Sequence, residues 1–345
     1  MTSDPIVTPG PAALPLLFPT GSASTATPTR QAHVEGVLRV LSHIQDHLDE
    51  VLSLEDLATR ARMSPSTLAH VFPGVVGETL WQLVKRLRLE RGAFNLLMSR
   101  HNVLDVALAS GFGSQASFTR AFRAAYGVTP ARFRRQDGRH LLPTLEAPTG
   151  IHVSDAGGLK GFTPIPDLSK ELPVRVVDLP ATRIAYFRGL TAYDDGMPWG
   201  WNTLFDWAWP RGHVTERTRF LGIIRQDPYM TPPGRLFCDY SITIEDESFT
   251  GDGIIGAQTI PGGQFATLHV EGPLDHHLRT YNAMTYQWLP QSRYTLRHSM
   301  RMTDNKLSLD TTRNRAAFMP GHDWWLDSTF HLPVSPGPVG GLLPL

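Results

Sequence analysis

A chain of 345 residues, 41% hydrophobic and 19% charged, has the balance of an ordinary globular protein and the length for two separate cores, which excludes a fibrous or wholly disordered molecule. One cysteine, Cys238, excludes an intramolecular disulfide and a thiolate zinc site, and no apolar run reaches the roughly 20 residues of a membrane span. Thirty-two basic and 32 acidic residues cancel, so any polyanion partner has to be met by a local basic patch rather than by the whole surface.

Residues 1–32 are rich in Pro, Ser, Thr and Ala without periodicity and read as a disordered arm. The arm lacks a basic region, and its apolar PAALPLLFP is broken by prolines, so no signal peptide is expected and the compartment reads as cytoplasmic. From His33 the period becomes helical: Val34, Val37, Leu38, Leu41, Ile44 and Leu48 form one apolar stripe. Ser53 is placed to cap a helix over Leu54–Arg62 with Glu55 and Asp56 in its first turn, and Ser64 to cap another opening at Pro65. A long amphipathic helix follows over Glu78–Met98, carrying Leu80, Leu83, Val84, Leu87, Phe94 and Leu97 on one side. A second short helix, a Gly111-Phe112 turn and a helix from Ser114 to about Ala125 then repeat the pattern. Lys85–Arg135 carries about ten basic residues against only Glu90 and Asp105, the local patch that the neutral total conceals.

The stretch 138–172 has scattered Gly and Pro and no period, and reads as a linker. Beyond it the texture changes. VRVVDLPATRIAYFRG, TRFLGIIRQDP and RLFCDYSITIED have strand composition, with the tryptophan-rich MPWGWNTLFDWAWPRG helical between them. GGQFATLHVEGP, LDHHLRTYNAMTYQWLP and strand-like stretches after Arg297 repeat the order. A strand-helix-strand-strand unit used twice predicts an α+β domain with one curved antiparallel sheet and two helices, over 173–333, before a Pro/Gly-rich tail over 334–345.

In the helical half, each pair of short helices has the pattern of a helix-turn-helix, in which the first helix braces the second so that its polar face can enter the major groove. Leu68, Val71 and Phe72 turn inward in the first unit, leaving Ser66, Thr67 and His70 outward. Phe118, Ala121 and Phe122 turn inward in the second, leaving Gln115, Ala116, Thr119, Arg120 and Arg123 outward. Glutamine can bond adenine bidentately, and arginine can bond guanine or a phosphate. The order LSLEDLATRARMSPSTLAHVF, RLRLERGAFNLL, then VLDVALASGFGSQASFTRAFRAAYGVTPARFR resembles the AraC family of transcription regulators over 33–137. That resemblance implies an all-α double helix-turn-helix domain with base contacts near Ser66, Thr67 and His70, and near Gln115, Thr119 and Arg120. Two departures stand out. Arg62 occupies a turn where the family has glycine, and Pro73 is expected to end its helix early.

In the second half, GIIRQDPYMTPPGRLFCDYSITI and HVEGPLDHHLRTYNAMTYQWLPQSRY resemble segments of GyrI-like domains. The resemblance implies a twofold pseudo-repeat with a cleft for aromatic small molecules, here fused to a DNA reader as in Rob-type regulators. The candidate lining residues are Tyr186, Tyr193, Trp201, Phe237, Tyr240 and Trp288. Arg301 falls where the family places a pocket glutamate; buried, it would favour neutral or anionic effectors, and turned to solvent it would leave an apolar pocket.

The reading is a sequence-specific DNA-binding regulator that senses a small aromatic or apolar ligand. Its partners are promoter DNA and that effector, with RNA polymerase a further candidate, and it acts as a monomer or homodimer. No cofactor or metal is expected: His276 and His277 diverge on a helix, and no GxSxG, phosphate loop or HExxH occurs. The alternative is a small-molecule hydrolase or sequestering protein, for which Glu271, Asp304 and His298 are the available acid-base groups.

Overall fold

The computed structural model describes residues 28–99, 101–135, 172–191, 196–227, 231, 235–297, 300–307, 309–310, 315–316 and 325–337. The linker 138–171, most of the N-terminal arm and Tyr193 lie outside them.

Seven helices build the first half: α1 (Pro28–Asp46), α2 (Leu54–Ala61), α3 (Pro65–Val76), α4 (Leu80–Met98), α5 (Val103–Ala109), α6 (Gln115–Tyr126) and α7 (Pro130–Arg135). The caps are the ones that hydroxyl chemistry dictates. Ser53, Ser64 and Ser114 each accept a backbone N–H from the first turn, and Thr79 with Gln82 closes a reciprocal box on α4. α1 opens at Pro28, inside the stretch read as a disordered arm, because proline suits the first helical position and its own N–H is not needed there. Pro73 does not end α3. The helix continues through Val75 and Val76, both buried, and stops at Gly77, whose φ of 80° and N–H to the Pro73 carbonyl close it. Burial of that last apolar turn outweighs the one backbone bond that Pro73 cannot donate. Arg62 does adopt the left-handed conformation, φ 58°, the one non-glycine residue to do so among the described residues.

Two apolar clusters fill this half. Val37, Leu41, Ile44, Leu57, Leu68, Phe72 and Leu83 join α1–α4, and Ala93, Phe94, Val106, Phe118, Phe122 and Phe133 join α4–α7. α4 is common to both, so it sets the mutual position of α3 and α6. Gly92 makes the second junction possible: a Cβ there would stand 2.6 Å from Phe118 Cε2, so only glycine admits the ring of α6.

The second half is one large antiparallel sheet with the strand order β1-β7-β12-β9-β3-β4-β2-β6-β5, ending at the short edge strand β5 (Gly251–Asp252). Its repeat units are β2 (Thr182–Thr191), α8 (Gly196–Ala208), β3 (Phe220–Ile224) and β4 (Leu236–Thr243), then β7 (Gly263–Pro273), α9 (Leu274–Ala283), β9 (Arg301–Asn305) and β12 (Trp325–Pro336). Each unit orders its strands alike, β3-β4-β2 and β9-β12-β7, and the two meet at the β3·β9 seam, where Ile224 pairs Arg301 and Gly222 pairs Thr303. β1 (Arg175–Leu179) precedes β2 in the chain but pairs β7, whereas β6 (Ile255–Ile260) precedes β7 but pairs β2. The two units therefore hold each other's edges. Of the flanking strands, β6 was hidden in sequence by its glycines. β12 runs on through Val334, fully buried, to Pro336, past the boundary expected for the tail.

α8 packs on Ala185, Phe187, Phe220, Tyr240 and Ile242, and α9 with the π turn Met284–Trp288 packs near Leu268, Phe330 and Leu332. The second of these cores is continuous with that of α4–α7: Phe94 packs edge-on to Tyr286, ring centroids 6.2 Å apart. Phe237 of β4 inserts into the first helix-turn-helix core.

Candidate nucleic-acid interface and sensor site

α3 buries Leu68 and Phe72 completely and α6 buries Phe118 and Phe122, while Val71 and Ala121, also expected inward, are half-buried. This periodicity leaves Ser66 and His70 of α3, and Gln115, Ala116, Arg120 and Arg123 of α6, exposed, with Thr67 and Thr119 half-buried. The two faces differ in chemistry. On α3, Ser64 Oγ lies 3.0 Å from Ser66 Oγ and 2.7 Å from Thr67 Oγ1, so both hydroxyls belong partly to the cap. On α6 the outward groups are an amide and two guanidiniums, the set suited to guanine, adenine and phosphate. Arg88 anchors the α1–α2 connection through the carbonyls of Leu48 and Glu50, both at 2.8 Å, and Arg134 ties α7 to the Leu96 carbonyl. These arginines of the basic segment serve the fold.

Among the described residues, the candidate sensor side chains fall in separate cores. Trp201 and Tyr240 stack edge-to-face, 5.5 Å between centroids, inside the core under α8, where Gly200 lets the helix approach the Tyr240 ring. Phe237 is buried against the helical half. Trp288 is half-buried and stacks with Tyr294 at 6.4 Å. The Tyr186 hydroxyl lies 3.1 Å from Ser42 Oγ of α1.

Arg301 is buried, and its charge is matched. Its Nη2 donates to Asp227 Oδ2 at 2.7 Å, the Tyr286 hydroxyl donates to the same oxygen, and its guanidinium lies 5.0 Å from the Phe94 ring centroid and 5.9 Å from that of Tyr281. Asp227, which sequence reasoning passed over, is thus the partner that balances the field at this position. The D-P pair just beyond β3 was its available signal.

The two halves meet here. Glu90 of α4, fully enclosed, accepts from Arg86 Nη1 at 2.7 Å and from Thr231 Oγ1 at 2.9 Å; burial pushes its carboxyl pKa up, against the pull of Arg86. Arg188 forms a buried pair with Asp239 and reaches Ser42 Oγ at 2.8 Å. Arg225 pairs with Asp46 at 3.1 Å, and Arg235 donates to the Val76 carbonyl at the end of α3 at 3.1 Å. Of the acid-base groups considered for hydrolysis, Glu271 and Asp304 line an open cleft of about 530 Å³ with His269, Lys306 and Asp327. Asp304 is held there by Arg219 at 2.8 Å, and His298 lies outside the described residues. His277 is buried with Nδ1 3.3 Å from the Pro273 carbonyl, and burial lowers its pKa.

Comparison with known proteins fits both halves. A helix-turn-helix domain model matches residues 57–136, and the model of a GyrI-like small molecule binding domain matches residues 172–302. The Transposon Tn10 TetD protein of Escherichia coli is 36% identical over 106 residues, 31% of this chain and 77% of that protein. The chain belongs to the AraC-type helix-turn-helix family. The HTH-type transcriptional activator AarP of Providencia stuartii is 33% identical over 101 residues, 29% of this chain and 75% of AarP. The right origin-binding protein of Escherichia coli K12 is 37% identical over 101 residues, 29% of this chain but only 35% of that protein's length. Joined to the family's reader, this chain carries a GyrI-like domain.

Proposed function

We propose that this family member recognises promoter sequences through α6 foremost and α3 second, and that its GyrI-like domain binds a small molecule whose occupancy alters DNA affinity. The observation that carries the reading is the pair of second helices, each with buried apolar anchors and an exposed polar face, and each sharing a core with α4. Gln115, Arg120 and Arg123 read bases and phosphates, and the capped hydroxyls of α3 contribute less specificity. The names of AarP and of the right origin-binding protein support transcriptional and DNA-binding roles. The sensor's interdomain bonds through Glu90, Ser42 and Val76 support coupling of ligand to reader, a coupling typically of ~1–3 kcal/mol.

Selection of binding sequences from genomic fragments by the purified full chain is the test. Enrichment of a motif spanning two major-groove faces about one turn, roughly 34 Å, apart is the expected result. Binding no better than to random duplex at moderate salt would refute the reading.

A further inference from the structure

Between the two domains lies a cavity of about 50 Å³, walled by Gln45 and Leu48 at the end of α1, Leu87, Glu90, Arg91 and Phe94 of α4, and Arg225, Gln226, Asp227 and Arg301 of the GyrI-like half. Five charged side chains line it, and four are accounted for inside the protein. Arg301 pairs with Asp227 at 2.7 Å, Arg225 with Asp46 at 3.1 Å, and Glu90 with Arg86 at 2.7 Å. Arg91 is the remainder. Among the described residues no carboxylate lies within ion-pairing distance of it, and its Nη1 is enclosed with no hydrogen-bond partner. Burial pulls the Arg91 pKa down; the charge of Asp49, beyond ion-pairing distance, opposes this, and neighbouring Arg88 adds to it. At the same cavity Arg225 Nε is enclosed without a hydrogen-bond partner, 4.0 Å from Asp239 Oδ2, and Gln45 Oε1, an acceptor that takes a water rather than an anion, is likewise enclosed.

A guanidinium N–H enclosed in a low-dielectric wall without an acceptor is costly, and enclosed polar groups left unpaired call for a water or ion. A water satisfies one N–H but leaves the charge offset only at longer range, by Asp49. A small anion satisfies both, and a planar fork matches a carboxylate geometrically. We infer that the interdomain cavity is an anion site centred on Arg91, sized for a single carboxylate-like group, free or as the head of a larger effector. This rests on the reading that the GyrI-like half senses a small molecule, and it names the chemistry and the place. Because α4 supplies one wall and the β3·β9 seam the other, occupancy bears on how the two halves dock, and so on how α3 and α6 are presented.

The test is a thermal-denaturation titration of the full chain with sodium acetate, at ionic strength held constant by a sulfonate buffer salt too bulky for the cavity. Formate and inorganic phosphate serve as further probes and acetamide as the uncharged control. Acetate well above its dissociation constant is expected to raise the melting temperature by about 2–4 °C, with acetamide giving no rise. Arg91→Met is expected to be flat to acetate, and Arg91→Lys, which keeps the charge but not the fork, to retain a smaller rise. A wild-type protein flat to acetate, formate and phosphate would show the cavity to hold water only and would overturn the inference; so would an undiminished acetate response in Arg91→Met. An operator whose affinity shifts with an uncharged aromatic compound, beside a flat acetate titration, removes the anion site alone and leaves the regulatory reading standing. Failure to select any operator removes the regulatory reading, while the acetate titration still reports on the cavity.

Discussion

Thr231 donates its hydroxyl to Glu90 at 2.9 Å across 141 residues of sequence, and so binds the GyrI-like domain to the helix on which both DNA-reading units are mounted. The contact is buried at both ends. Thr231→Val keeps the shape and removes the donor, leaving Glu90 with Arg86 and Gln226. A loss of about 2 kcal/mol in chemical denaturation is expected, in the range for a hydrogen bond to a buried charged group. An unchanged midpoint would show that the contact does not hold the halves together.

Gly92 sets where α6 sits. In Gly92→Ala the added methyl would meet the Phe118 ring at 2.6–2.8 Å, forcing the ring or the helix to move. Overpacking of this kind costs about 1–3 kcal/mol. The melting temperature should fall and operator affinity with it, and Phe118→Leu in the same chain should recover part of both. A variant with wild-type melting and binding would disprove the close packing.

Arg120 is exposed on the polar face of α6, away from the Phe118–Phe122 core, where the proposal places base and phosphate contacts. Arg120→Ala is expected to weaken selected-operator binding by about 1–3 kcal/mol, roughly 5- to 150-fold, with an unaltered circular dichroism melt. Equal affinities in gel-shift titration would reassign the reading face.

Arg62 holds φ 58° at the end of α2, where its N–H bonds the Thr59 carbonyl. A side chain in that conformation costs about 1–2 kcal/mol relative to glycine, partly offset by glycine's freer unfolded chain. Arg62→Gly should therefore raise the unfolding midpoint slightly, by about 0.5–1 kcal/mol. A clear loss of stability would mean that the Arg62 side chain has a stabilising role of its own.

His331 of β12 is buried beside Phe265, with neither ring nitrogen hydrogen-bonded among the described residues. Burial, aided by Arg219, brings its pKa from 6.5 down to about 4. The folded state therefore takes up its proton later than the unfolded state as pH falls. Stability is full above pH 6.5 and declines as pH drops from 6.5 toward 4, by on the order of 3 kcal/mol from this group. His331→Leu should flatten the unfolding free energy over that window; an equally steep curve would place the effect on other groups, such as His277.

Much of the helical half was legible because its signals are local. A serine hydroxyl at a helix start caps it, and a 3.6-residue stripe finds the core whatever the core contains, so Ser53, Ser64, Leu68 and Phe118 fell where expected. Pro73 misled because the rule against proline is also local, while the burial of Val75 and Val76 that overrides it comes from α4. The aromatic set proposed for a pocket scattered for the same reason: composition marks Trp201, Phe237 and Tyr240 as apolar and large, but not which of several cores each one fills.

By itself, then, the order of residues determined most of the elements, the Ser53 and Ser64 caps, the repeated strand-helix-strand-strand unit and the polar faces of α3 and α6, since these follow from periodicity and neighbours within a few positions. Only the tertiary structure decided that Arg301 is neutralised by Asp227, that Glu90 answers to Thr231, and that Arg91 is left facing a cavity between the halves. Charge and burial there depend on groups dozens to more than a hundred positions apart, and electrostatic energy is set by distance in space and by the surrounding dielectric, neither of which a linear sequence contains.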